Sequence, residues 1–100
     1  MKILAEVTLN ASADIATIQR LVTDEIRCSW ALYAANVLRE IYLTDNPRRV
    51  VFVLEAADFD AATNRLQTLP LVKSGLFTCA LTELRPFTNW SKLFASQAQV

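Results

Sequence analysis

The order in which the hydrophobic periodicity changes along the chain is the feature that most constrains its fold. Residues 2–9 alternate between apolar and polar side chains, which predicts a strand with one buried face. The spacing becomes helical over residues 14–35, and Ser12 or Asn10 is the predicted N-cap. The predicted buried stripe of this helix consists of Ile15, Ile18, Val22, Ile26, Trp30 and Tyr33, and it is widened by Leu21, Cys28 and Leu32.

Two strands joined by a short turn follow the first helix. Asn36 tolerates the left-handed conformation that ends many helices, and residues 37–43 form the next predicted strand. Residues 44–47 read Thr-Asp-Asn-Pro, which is typical of a turn. The strand after it ends at residue 55 and contains the run Val-Val-Phe-Val-Leu. Such an apolar run favours a central strand that is buried on both faces.

The last third of the chain predicts one more helix and one more strand. Asp58 is the predicted N-cap of a helix over residues 59–69, and Pro70 is expected to close it. Residues 76–84 alternate again as a fourth strand. The resulting order, β-α-β-β-α-β, predicts an α+β domain of the ferredoxin-like class with an antiparallel four-stranded sheet.

The apolar content is high for a chain of this size. The chain has 100 residues, of which 53% are hydrophobic, and its mean hydropathy is +0.26. This length predicts a single domain, assigned to residues 1–95, with residues 96–100 as a disordered tail. Because the helices cover only one sheet face, we expect a second copy to cover the other. The prediction is a dimeric α+β barrel, a homodimer or a higher homo-oligomer.

Charge and residue usage exclude several classes of function. Ten basic and ten acidic residues without a basic run disfavour nucleic-acid binding. No stretch approaches the roughly 18 apolar residues of a membrane span, and Glu6 interrupts any signal-peptide core, so a cytoplasmic protein is expected. The chain has no histidine, and Cys28 and Cys79 lack metal-site spacing, so neither a metal nor a cofactor is expected.

Two segments resemble the muconolactone Δ-isomerase-like family. Residues 32–42 read Leu-Tyr-Ala-Ala-Asn-Val-Leu-Arg-Glu-Ile-Tyr, and residues 66–76 read Leu-Gln-Thr-Leu-Pro-Leu-Val-Lys-Ser-Gly-Leu, followed by Leu-Arg-Pro-Phe at 84–87. The resemblance implies a dimeric α+β barrel that moves a proton within a small lactone acid, without metal or cofactor. This chain has Glu40 where those isomerases carry a histidine.

Glu40 and Tyr42 are the predicted catalytic residues. They share one face of the second strand, where the carboxylate can shuttle a proton while Tyr42 donates a hydrogen bond. The alternative is an interface ion pair with a tyrosine at its rim. Arg39 is predicted to hold a substrate carboxylate, or else to pair with Glu55 or Asp58 on the surface.

Three further residues are candidates for substrate binding. Arg85 is expected either to contact an anion at the pocket mouth or to hold the C-terminal segment. Trp30 and Tyr33 are expected to line a cavity between helix and sheet, or simply to join the core. The hypothesis is a cofactor-free isomerase or lyase acting on a small hydrophobic acid or lactone. A non-catalytic small-molecule-binding or assembly module, or a cofactor-free monooxygenase on the same fold, are the alternatives.

Overall fold

The computed structural model describes residues 1–94, which form a four-stranded sheet with its helices packed on one face. The strands and helices are β1 (Lys2–Leu9), α1 (Ile15–Ala34), β2 (Leu38–Asp45), β3 (Arg48–Glu55), α2 (Phe59–Leu66), α3 (Pro70–Lys73) and β4 (Phe77–Leu84). A 3-10 helix follows at Thr88–Leu93. The strand order is β2-β3-β1-β4 and every neighbouring pair is antiparallel, which confirms the predicted fold class. The predicted disordered tail, residues 96–100, lies outside the described residues.

The strand register separates two faces of the sheet. Ile3 and Ala5 of β1 lie opposite Leu54 and Phe52 of β3, and all four are buried under the helices. Leu32 of α1, Leu66 of α2 and Val72 of α3 complete this core. Strand β3 lies centrally, between β1 and β2, as predicted from its apolar run. Its predicted burial on both faces is incomplete, because Val51 on the other face is only half-buried.

The opposite side of the sheet carries no helix in the described part of the chain, and we call it the open face. It mixes apolar and polar side chains and includes Leu4, Glu6, Glu40, Tyr42, Arg49, Val51, Val53, Ala80 and Thr82. Val51 and Leu4 are only half-buried in the single chain. One copy of the chain therefore leaves apolar side chains of its central strands without cover.

The first helix begins at a different cap from the one predicted. Asp14 is the N-cap, and its Oδ1 accepts a hydrogen bond from the Ala16 backbone N–H at 3.2 Å. Asn10, one of the two predicted caps, instead donates from its side chain to the Gly75 carbonyl at 2.6 Å. Asn36 does end the helix region with a positive φ of 62°, as predicted.

The second helical region is interrupted where a continuous helix was predicted. Helix α2 ends at Leu66, and Pro70 begins the separate short helix α3 instead of closing the first. Proline suits this first helical position because its missing N–H would have no partner there. The break lets Leu69, Leu71 and Val72 all be buried, and it places α3 against α1.

The predicted buried stripe of α1 is wrong for most of its members. Ile15, Ile26, Trp30 and Tyr33 are 50–69% exposed, whereas Leu32 is buried. The least exposed side of the helix contains Ile18, Leu21, Glu25, Cys28, Ser29 and Leu32. The helix is therefore oriented with its most apolar side toward solvent. The carboxylate of Glu25 lies in the middle of the side that faces the sheet.

Candidate ligand cavity

A cavity of about 380 Å³ lies between α1 and α3 on one side and the helix-facing side of the sheet on the other. Its walls are predominantly apolar and include Ile18, Val22, Ile41, Leu43, Phe52 and Leu71. Its volume is in the range that holds small organic molecules. Because β2 is an edge strand, Ile41 and Leu43 remain partly exposed and mark the side on which the cavity opens.

Among the described residues, Glu25 is the one carboxylate that lines this cavity. Its Oε2 accepts a hydrogen bond from the Leu71 backbone N–H at 3.3 Å, which ties α1 to α3. Burial among apolar side chains raises the pKa of Glu25 above 4.5, and the hydrogen bond from Leu71 offsets part of that shift. A carboxyl group in this setting exchanges a proton closer to neutral pH than an exposed glutamate does.

Cys79, on β4, also lies on the helix-facing side of the sheet and near Glu25, although it does not line this cavity. Burial raises the pKa of the Cys79 thiol, and the nearby negative charge of Glu25 raises it further. The thiol is therefore kept neutral, and a neutral thiol is a weak nucleophile. Glu25 is the better candidate for chemistry in this cavity.

The raised pKa of Glu25 predicts a specific dependence of stability on pH. The folded state holds this proton more tightly than the unfolded state, so the contribution of Glu25 to stability is lost as the pH rises through the folded-state pKa. We expect Glu25→Gln to be more stable than wild type at pH 7 by a fraction of a kcal/mol, because the half-exposed carboxylate is screened by solvent. Near pH 4 the advantage should vanish.

Urea denaturation of both proteins at the two pH values measures this difference. Glutamine still offers an oxygen to the Leu71 N–H, so the comparison isolates the ionisation of the carboxylate. A variant that is less stable than wild type at pH 7 would contradict the assignment.

The structure brings Glu40 and Tyr42 together, but away from the cavity. The Tyr42 hydroxyl donates to Oε1 of Glu40 at 2.5 Å, and this bond and the charge of Glu40 raise the pKa of Tyr42. Both side chains are exposed and lie on the open face. Their catalytic role stays a prediction, and it requires a site on the side of the sheet that the helices do not cover.

The two predicted substrate-binding arginines lie apart from each other and from the cavity. Arg39 is exposed at an irregularity in β2, where the register shifts between Leu38 and Glu40. Within residues 1–94 it forms no ion pair, so the expected pairing with Glu55 or Asp58 is absent. Asp58 instead caps α2, where its Oδ1 accepts from the Ala61 N–H at 2.7 Å, as predicted.

Arg85 lies beyond β4, at the opposite end of the sheet from the cavity. Its Nε is 3.3 Å from Oε2 of Glu83, and its side chain is largely exposed. A separate depression of about 590 Å³ lies there, lined mainly by surface residues such as Lys2, Glu55 and Arg85. The two parts of the predicted site, on β2 and after β4, therefore do not converge.

Trp30 and Tyr33 stack on each other at a ring-centroid distance of 5.4 Å, on the exposed side of α1. Neither lines the cavity, because the rotation of α1 that turns Glu25 inward turns these aromatic rings outward. Glu25 was missed at the sequence level. The sequence did contain a signal: Glu25 lies four residues after Leu21 and three before Cys28, so a helix that turns those two side chains toward the sheet turns Glu25 the same way.

Comparison with solved structures identifies the fold. The crystal structure of muconolactone isomerase superimposes on this chain with a TM-score of 0.71, covering 88% of this chain and 93% of that chain at 20% sequence identity. The chain has the muconolactone isomerase fold. No protein-family model and no curated protein matches the sequence. The resemblance seen in residues 32–42 and 66–76 thus agrees with the three-dimensional fold.

None of the helices in residues 1–94 is long and apolar enough to cross a membrane. In the same part of the chain, no three Cys, Asp or Glu side chains group closely enough to hold a metal ion.

Proposed function

We propose that this protein binds a small hydrophobic acid or lactone in the cavity between α1 and the sheet and catalyses a proton transfer within it, without a cofactor. The observation that carries the proposal is the position of Glu25, which within residues 1–94 is the single carboxylate on the walls of an apolar cavity. The fold supports it, because the structure with which this chain aligns is named an isomerase. The cytoplasmic location stays a prediction.

The chemistry needs only one carboxylate that can both take and return a proton. Ionised Glu25 removes a proton from the carbon next to a carbonyl group, and the electron pair left behind delocalises into that carbonyl. The substrate carries a C=C double bond conjugated with this enolate. Protonated Glu25 then returns the proton to the far carbon of that conjugated system, so that the double bond changes position. A raised pKa suits both steps, since catalysis by a general acid or base is most efficient when its pKa lies near the working pH.

The open face supports the proposal that the protein is a homodimer. Leu4, Val51 and Val53 lie side by side on its two central strands, and a second sheet packed against them would remove their remaining surface from water. The same packing would enclose Glu40 and Tyr42. The sequence-level hypothesis that these two residues shuttle the proton therefore depends on the dimer, whereas the cavity at Glu25 is formed by one chain.

Hydrogen–deuterium exchange into candidate substrates tests the proposed activity. Wild-type protein is incubated in D₂O with muconolactone-type lactones and small apolar acids, and deuterium uptake at carbon is followed by NMR. Enzyme-dependent uptake supports proton transfer. Binding in the cavity without uptake would favour the non-catalytic binding module, and oxygen consumption with an electron-rich phenol would favour the monooxygenase.

A further inference from the structure

Arg48 begins strand β3 and lies at the end of the cavity nearest the β2–β3 hairpin. It alternates in step with Val50 and Phe52, whose side chains lie on the helix-facing side of the sheet. Arg48 itself lines the cavity and is exposed. A guanidinium group at this position lies where the apolar walls meet solvent.

Arg49 also borders the cavity, but its side chain belongs to the open face and is already paired there. Nη1 of Arg49 is 2.9 Å from Oε2 of Glu6, its partner on the open face. Arg48 forms no ion pair in residues 1–94, even though Asp45 lies opposite it in the strand register. Among residues 1–94, Arg48 is therefore the cation at the mouth of the cavity that is available to a ligand.

We propose that Arg48 binds the carboxylate of the ligand and makes the cavity selective for small apolar carboxylates over neutral molecules of the same shape. This inference rests on the proposed function and deepens it. A guanidinium can hold a carboxylate through two parallel hydrogen bonds. The apolar body of the ligand then lies along Ile41 and Leu43 and extends toward Glu25, so one end of the ligand is fixed while Glu25 reaches the other.

A matched pair of probes tests the selectivity. Phenylacetate and phenylacetamide have nearly the same shape, but only the first is charged at neutral pH. Binding of each is measured by calorimetry to wild type, Arg48→Gln, Arg48→Lys and Arg65→Gln. Arg65, on α2, does not line the cavity, and its replacement removes the same charge from the protein.

Wild type should bind phenylacetate at least about tenfold more tightly than the amide, and Arg48→Gln should lose about tenfold for the acid alone. Arg48→Lys should lose less, because it keeps the charge but not the two-pronged geometry. Arg65→Gln should match wild type for both probes. The inference is overturned if wild type binds both probes equally, or if Arg48→Gln and Arg65→Gln behave alike. If neither phenylacetate nor phenylacetamide binds to wild type, the proposed function is overturned as well.

Discussion

Glu25→Gln is expected to lower the rate of deuterium exchange into substrate by at least about 100-fold, the usual effect of removing a general base. The replacement keeps the size of the side chain and an oxygen for the Leu71 N–H, but an amide cannot take a proton. Ligand affinity should change little, because the walls of the cavity are untouched. The measurement is the exchange rate at saturating substrate, together with the dissociation constant.

Glu40→Gln is the matched control for this prediction. It makes the same chemical change at an exposed position on the open face, and there we expect an exchange rate within about twofold of wild type. A loss of exchange in Glu40→Gln, with Glu25→Gln unaffected, would place the proton shuttle on the open face. The hypothesis drawn from the sequence would then be right, and the cavity would have another use.

Val51→Glu is expected to raise the dissociation constant of the homodimer at least about 100-fold. Val51 lies on central strand β3, opposite Glu6 on one side and Tyr42 on the other. In a dimer that packs two open faces together, the new carboxylate would be buried beside Glu6, and the neighbouring cation, Arg49, already pairs with Glu6. Sedimentation velocity over a concentration series measures the change.

Thr23→Glu provides the control, because it adds the same charge on the exposed surface of α1. It should leave the association unchanged. If Val51→Glu dimerises as well as wild type, the open face is not the interface, and the dimer expected from the apolar content would have to form through another surface.

The fold was predictable from the sequence because the signals for each strand and helix are local. The alternation over residues 2–9, the apolar run in β3 and the Asp58 cap each depend on near neighbours in the chain, and each is confirmed. Pro70 was misread because a proline can end one helix or begin another, and the choice depends on which apolar side chains the surrounding core can bury. That choice depends on the tertiary structure and cannot be read from neighbouring residues in the chain.

The site was harder to predict because it depends on how α1 is rotated. Reading the stripe through the most apolar positions placed Trp30 inward and ignored Glu25, whereas packing against α3 and the sheet selects the opposite rotation. The contact between Glu40 and Tyr42 followed from strand periodicity and is present. Periodicity cannot tell which face of a sheet will adjoin a cavity, because that requires the position of the helices.

Methyl-group NMR with a bound small apolar acid tests the location of the site most directly. Ile18, Ile41 and Leu43 line the cavity, while Leu4, Val51 and Val53 lie on the open face of the same sheet, so the two sets report on opposite sides. We predict intermolecular nuclear Overhauser effects from phenylacetate to the first set and none to the second. Effects confined to the open-face methyl groups would contradict the assignment of the cavity at Glu25 as the functional site.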